Sequence, residues 1–301
     1  MNRRQKKNGF YLQPAEKIED EIARALCEQL QGAAQVLAST RNADEAIHDA
    51  RRGLKKARAL LKLGRRSALG PHYEDESIRL RDLGRTLSGV RDAMALVEAA
   101  GRIAEEERSK EVKAAARGAK RLLLRKKDAI TADFLKSGEK DRVTEALKKA
   151  VGDSDGWPVE QIDFSAIRKG VKRTVKQGRQ ARKRASSDPR PENFHEWRKL
   201  AKDFRYQLRF LRKLSPDGFK KNAGKAKELE QKLGEDHNLA VLREAVKDLS
   251  LQESDVAALT IAIEKRQAKL RTEALRIGES LYKDGPKLWA RHLTQYWAKQ
   301  K

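Results

Sequence analysis

Ile47-His48-Asp49-Ala50-Arg51-Arg52-Gly53-Leu54-Lys55-Lys56-Ala57-Arg58 is answered 147 residues later by Phe194-His195-Glu196-Trp197-Arg198-Lys199-Leu200-Ala201-Lys202-Asp203-Phe204-Arg205. His48 pairs with His195, Arg51 with Arg198, Lys55 with Lys202 and Arg58 with Arg205. A second echo keeps almost the same offset: Leu87-Ser88-Gly89-Val90-Arg91-Asp92 matches Leu233-Gly234-Glu235-Asp236-His237-Asn238, and Arg91 to His237 is 146 residues. Two matched blocks at nearly one offset imply a duplicated unit and a pseudo-twofold molecule.

Each copy of the first block reads as one amphipathic helix. At about 100° per residue, the positions three, four, seven, ten and fourteen after the histidine fall within roughly 120° of one another. They are Arg51, Arg52, Lys55, Arg58 and Lys62 in the first copy, and Arg198, Lys199, Lys202, Arg205 and Arg209 in the second. The opposite face holds Ile47, Ala50, Leu54, Ala57 and Leu61, matched by Phe194, Trp197, Ala201, Phe204 and Leu208. Solvated faces usually mix signs to gain i,i+4 pairing, whereas neither of these stripes carries an acid. A cationic face without acids, present twice, points to an anionic ligand.

Composition agrees. The 301 residues include 68 Lys+Arg against 44 Asp+Glu, a net charge of +24, which favours polyanions such as nucleic acid, polyphosphate or an acidic membrane surface. Aromatics are 5% of the chain, too few for a base-stacking platform. Cys27 is the single cysteine, so no intramolecular disulfide and no cysteine-based zinc site forms, and it reads as a small core residue in a reducing compartment. No apolar stretch is long enough to span a bilayer, and the basic start, Met1 to Gly9, lacks the apolar run of a secretory signal. The expected location is cytoplasmic, with the start as a frayed basic arm.

The pattern is helical nearly throughout, without sustained alternation, so the fold class is all-α. Helices are expected from Pro14 to Leu37; after an Asn42 or Asp44 cap through the first stripe; from Tyr73 through the Arg91 block; from Lys110 to Leu135; and from Val143 to Ala150. Breakers between Val151 and Pro158 divide the chain into 1–151 and 157–301. The second half repeats the plan: a helix from Phe164 to Ala185, the second stripe ending near Ser215, then two or three more helices. Each half reads as an antiparallel four-helix bundle.

These residues resemble the CHAD domain, the conserved histidine α-helical domain. Its signature is read from His48 to Arg58, its Leu-Gly-x-x-Arg-Asp element at Leu87–Asp92 with one residue inserted, and the second-half counterparts at His195–Tyr206 and Leu233–Asn238. Arg52, where the family pattern is usually aliphatic, and Arg209, often acidic there, both add positive charge. The resemblance implies two bundles about a pseudo-twofold axis, with a basic groove or pore between them that binds inorganic polyphosphate, and association with polyphosphate granules. Some relatives carry a triphosphate-tunnel phosphatase, whose Glu-x-Glu-x-Lys strand is not found here.

Phosphate oxygens call for several donors in a positive potential; Arg offers a planar fork and Lys a point charge. The candidate ligand residues are therefore the two rows, His48, Arg51, Arg52, Lys55, Arg58 and Lys62 with His195, Arg198, Lys199, Lys202, Arg205 and Arg209, closed by Arg91 and His237 from the next helix. Asp92 and Asn238 read as orienting groups. Cations beside His48 and His195 favour neutral imidazole, and bound phosphate favours imidazolium. His72 and His292 have no repeat partner and read as structural. No His-Glu-x-x-His or Gly-x-Ser-x-Gly occurs, and Gly218 to Lys225 fails as a phosphate loop on glycine spacing and at Ala226. The expectation is a non-enzymatic polyphosphate-binding protein without cofactor or metal. Sequence-independent nucleic-acid binding is the alternative, and an interaction scaffold a third class.

Overall fold

The computed structural model describes residues 9–38, 42–64, 70–153 and 162–300, with backbone only for 70–74. The basic arm, the breaker loop after Gly64 and most of the expected boundary lie outside the described residues, as does the His72 side chain. Among these residues eleven α-helices follow in order: α1 (Ile18–Ala38), α2 (Ala43–Gly64), α3 (Gly70–Thr86), α4 (Ser88–Glu106), α5 (Lys110–Lys136), α6 (Glu139–Asp153), α7 (Phe164–Ser187), α8 (Pro191–Leu211), α9 (Pro216–Ala245), α10 (Glu253–Tyr282) and α11 (Gly285–Ala298). No strand occurs among the described residues, and no helix there is long and apolar enough to cross a membrane.

Helix ends are set by local chemistry. The Asn42 side chain accepts from the Glu45 amide at 3.2 Å at the start of α2. Ser109 and Asp163 do the same for α5 and α7, accepting from Val112 at 3.2 Å and Ala166 at 2.7 Å. Proline opens α8, α9 and α11, where its missing N–H costs nothing. The helix expected to run from Tyr73 through Arg91 instead breaks at Leu87, dividing into α3 and α4. The Ser88 hydroxyl there donates to the Arg85 carbonyl at 2.7 Å, and Leu87 is fully buried at the elbow.

Each half forms a ring of four helices: α1, α2, α3 and α6 in the first, α7, α8, the start of α9 and α11 in the second. In the second ring Phe219 of α9 meets Trp289 and Tyr296 of α11, with ring centroids at 6.4 and 5.4 Å. A third bundle is built jointly. Val97, Ile103 and Leu123 from α4 and α5 pack with Leu239, Leu242, Ile263 and Leu270 from α9 and α10 in a separate apolar cluster. The larger cluster likewise joins Leu54, Leu60 and Leu61 of α2 to Trp197, Phe204 and Leu208 of α8. Both cores therefore draw on both halves of the chain.

Several cross-half pairings are compatible with a pseudo-twofold axis, although α7 also packs on α2 while α1, among the described residues, makes no matching contact of that size with α8. Equivalent helices touch each other: α2 with α8, α4 with α9, α5 with α10. At the level of side chains, Lys55 and its own repeat mate Lys202 act on each other, as do Arg51 and Arg198. Lys62 pairs with Asp203, and the mates of those two residues, Arg209 and Lys56, also face each other. Pairs in which residue i meets j while the mate of j meets the mate of i are what an isologous contact within one chain would give.

Candidate anion-binding groove

α2 and α8 carry the two stripes, and their apolar seams put them side by side. Ile47, Ala50, Leu54, Ala57 and Leu61 are buried on one helix, and Phe194, Trp197, Ala201, Phe204 and Leu208 on the other. Gly278 of α10 admits the Trp197 indole; a methyl group there would collide with the ring. With the seams fixed inward, the cations converge along the α2–α8 contact.

Where α2 meets α8, Arg51, Lys55, Arg198 and Lys202 act on one another. Arg51 donates to the Gly84 carbonyl and lies 3.9 Å from Asp92, whose side chain is 67% exposed. Lys202 lies 3.2 Å from Glu230 of α9, which also takes a short contact from Arg205. Burial, then Lys202, Arg51 and Arg198, push the Lys55 amine down to about 6. Burial and Arg198 lower Lys202 to about 8, with Glu230 opposing. Burial also lowers the Arg51 and Arg198 pKa values, although guanidinium stays charged. The centre is thus a strained set of like charges.

The histidines sit at the flanks, each met by its expected partner: Arg91 from α4, beyond the break at Leu87, and His237 from α9, the next helix. Arg91 Nε donates to His48 Nδ1 at 3.0 Å and its other arm reaches Glu98 at 3.1 Å. In the second half His195 Nδ1 and His237 Nδ1 are 3.1 Å apart. All three imidazoles are held below their ordinary value, first by burial and then by neighbouring cations, and His237 falls to about 3. The expected neutral state is therefore the one the surroundings favour. Beside His237, Asp236 is buried and accepts from Arg271 at 2.8 Å and Gln267 at 3.1 Å, which fixes that turn of α9.

The remaining candidates lie at the edges. Arg52 is exposed and lies 3.1 Å from Asp49, and Lys199 is exposed and lies 2.6 Å from Glu196. Lys62 closes on Asp203 across the helix pair. Arg209 faces Arg212, Arg205 and Arg52 and is lowered chiefly by burial. Arg58 acts on Asp82 of α3. No stripe position is an acid, but Asp49 and Glu196 on the same helices pair with their edges, and Asp203, Glu230, Asp82 and Asp92 approach as well. Of these, Glu230 and Asp82 sit on other helices, which a helical wheel does not see, and Asp203, on α8 beside its stripe, meets its cation Lys62 only across the helix pair. Lys56, off both stripes, is held at about 8 by burial and then Arg209 and Arg52, while its amine donates to Gln29 at 2.8 Å. Among the described residues no group of three or more His, Cys, Asp or Glu side chains is placed to hold a metal ion.

Comparison with known proteins agrees with this architecture. No curated protein matches the chain significantly by sequence. The crystal structure of the CHAD domain from the plant Ricinus communis superposes with a TM-score of 0.61 at 17% identity, over 90% of this chain and 93% of that one. PptA from Streptomyces chartreusis gives 0.61 at 14% identity, over 89% and 99%. The CHAD domain family model matches residues 21–247, which takes in both stripes and both partner elements. The chain belongs to the CHAD domain family.

Proposed function

We propose that the protein binds inorganic polyphosphate in the groove between α2 and α8, without hydrolysing it. The observation that carries this reading is the placement of Arg51, Lys55, Arg198 and Lys202, repeat mates that face each other in a largely buried position. Like charges held together out of water raise the energy of the free protein, and a polyanion lowers it. An unbranched chain of identical phosphates reads the same from either end. It therefore suits a receptor whose two halves are related by a twofold.

Arg51, Arg58, Arg198 and Arg205 supply planar forks for phosphate oxygens, and Lys55 and Lys202 supply point charges between them. Arg91, His48, His195 and His237 bound the track. Glu230, Asp92 and Asp203 hold the cations in place before the ligand arrives and leave the track net positive. Association with polyphosphate granules follows as the expected setting.

The decisive test is competition. Labelled long-chain polyphosphate bound to the full chain is challenged with unlabelled polyphosphate, duplex DNA or RNA, while phosphate release is followed. Displacement by polyphosphate at far lower phosphate concentration than by either nucleic acid, without phosphate release, is expected. Equal displacement by DNA overturns the reading in favour of general polyanion binding, and steady phosphate release overturns the absence of turnover.

A further inference from the structure

Outside the groove, among the described residues, a concentrated charge without an evident structural reason lies on α7. Its sequence, FSAIRKGVKRTVKQGRQARKRASS, contains nine Lys and Arg residues and no acid. The fold does not require this. The corresponding helix of the first half, α1, carries Glu19, Asp20, Glu21 and Glu28 against the single cation Arg24. Both helices pack on the stripe helix of their half and on the last helix of the ring, and α7 packs in addition on α2 and α10.

The charge is also ordered. Ala166, Ile167, Gly170, Val171, Thr174, Val175, Gly178, Ala181 and Ala185 are buried, so one face of α7 is committed to the core. Lys169, Lys172, Lys176, Arg179 and Lys183 are exposed. At about 100° per residue they fall within roughly 80° of one another, opposite the buried face. The stripe from Lys169 to Lys183 is about 21 Å long at 1.5 Å per residue, the same as the run from His48 to Lys62. None of the five makes an ion pair among the described residues, whereas Lys62, Lys202 and Arg205 in the groove each have a carboxylate. Like charges three and four apart destabilise a helix, so the pattern is retained at a cost.

α7 is locked to the groove. It packs on both α2 and α8, with Gly170 pressed against the Leu63 carbonyl so closely that a methyl group would collide. Arg173, on the flank between the stripe and this contact, donates to the Lys62 carbonyl at the end of α2. A chain leaving the groove past Lys62 therefore meets α7 next.

We propose that the outward face of α7 is a second polyphosphate track, occupied by the part of a long chain that emerges from the α2–α8 groove. The inference rests on the groove reading and adds a length preference to it. A chain long enough for both tracks binds the second intramolecularly, at a high effective concentration, and gains affinity without any new contact in the groove. α7 carries no aromatic residue from Lys169 to Lys183, which suits a ligand without bases.

The test uses the full chain and two size-selected polyphosphates: one just long enough to span the groove, one several times longer. A variant with Lys169, Lys172, Lys176, Arg179 and Lys183 all changed to Gln is compared with a control carrying the same change at the exposed Arg117, Arg121, Arg125, Lys136 and Lys149. Circular dichroism checks that both remain helical. Short-chain affinity of the α7 variant is expected to stay within about twofold of wild type, while its long-chain advantage falls by about tenfold or more. The control is expected to keep that advantage. Equal losses in the two variants, an unaltered long-chain advantage in the α7 variant, or a matching loss for short chains each overturn the second track. Loss of duplex DNA binding alone assigns the face to nucleic acid and also overturns it. If wild type binds neither polyphosphate, the groove reading itself falls, an outcome separate from all of these.

Discussion

His195 and His237 meet Nδ1 to Nδ1 at 3.1 Å, in the place where the first half sets Arg91 Nε against His48 Nδ1 at 3.0 Å. Only one proton fits between two such nitrogens. One flank of the groove therefore carries a permanent guanidinium, and the other carries charge only after protonation. The repeat-matched positions make contacts of nearly equal length and differ in acid–base chemistry.

A pH dependence follows. His237 is pushed from an ordinary 6.5 down to about 3 by burial, then by Arg198, His195, Lys202 and Lys199. Because the folded state prefers the neutral ring, its contribution to stability is full above 6.5 and is lost as pH falls toward 3. A bound polyanion works in the opposite direction, raising the pKa and drawing in a proton. Affinity should rise as pH falls from about 7 to about 5, with proton uptake visible by calorimetry in buffers of different ionisation enthalpy. His237→Arg should tighten binding at neutral pH and flatten that slope. A slope equal to wild type in the variant removes His237 from the linkage.

Lys55 gives a second, separable prediction. Its amine is lowered from 10.5 to about 6, so it weakens the free fold at every pH below 10.5, most at or below about 6. Lys55→Met keeps the length of the side chain and removes the repulsion with Lys202, Arg51 and Arg198. The free variant should be more stable by about 1–4 kcal/mol near neutral pH, with the gain shrinking as pH rises toward 10.5. Polyphosphate affinity should fall at the same time. Chemical denaturation across pH, with a binding titration beside it, checks both signs. A variant that is less stable and binds normally contradicts the assignment of Lys55 to the groove.

Much of this is legible in the chain because it is local and repeated. The stripes and seams are written at helical period, and the 147-residue offset alone pairs Lys55 with Lys202. Another matched pair is harder to see. Gly138 and Gly285 are also 147 residues apart, both left-handed at φ 72 and 66, where only glycine is unstrained; they join α5 to α6 and α10 to α11. Their neighbours Ser137 and Glu139, against Asp284 and Pro286, hide the match. The break at Leu87 has no proline to announce it. The carboxylates of Asp203 and Glu230 reach their cations only through packing between helices, which no single-helix pattern records.

The mates of one contact differ in sign. Lys62 pairs with Asp203, while at the symmetry-related place Lys56 faces Arg209 and is held at about 8. Arg209→Asp should turn this repulsion into the attraction its mate already shows. A partly exposed pair is worth about 0–1 kcal/mol, so a melting temperature higher by a few degrees is the expected reading. The Lys56 amine should return toward its ordinary value, observable by NMR titration. A lower melting temperature contradicts the symmetric account of this interface.

Charge reversal separates the groove from general basicity. Arg51 and Arg198 are repeat mates that act on each other, and their apolar seams lie on the other side of each helix. Changing both to Glu removes two donors and places two like charges against the ligand. Changing the exposed Lys149 and Lys220 to Glu alters net charge equally, away from the groove. For nucleic acids, the logarithm of affinity falls with the logarithm of salt by about 0.7–0.9 per phosphate neutralised, and a slope of that order is expected for polyphosphate. The groove variant should lose nearly all binding at fixed salt and keep its helical content. The control should stay close to wild type in both affinity and slope. Equal losses in the two variants mean that net charge, and not the arrangement of α2 and α8, holds the polyanion.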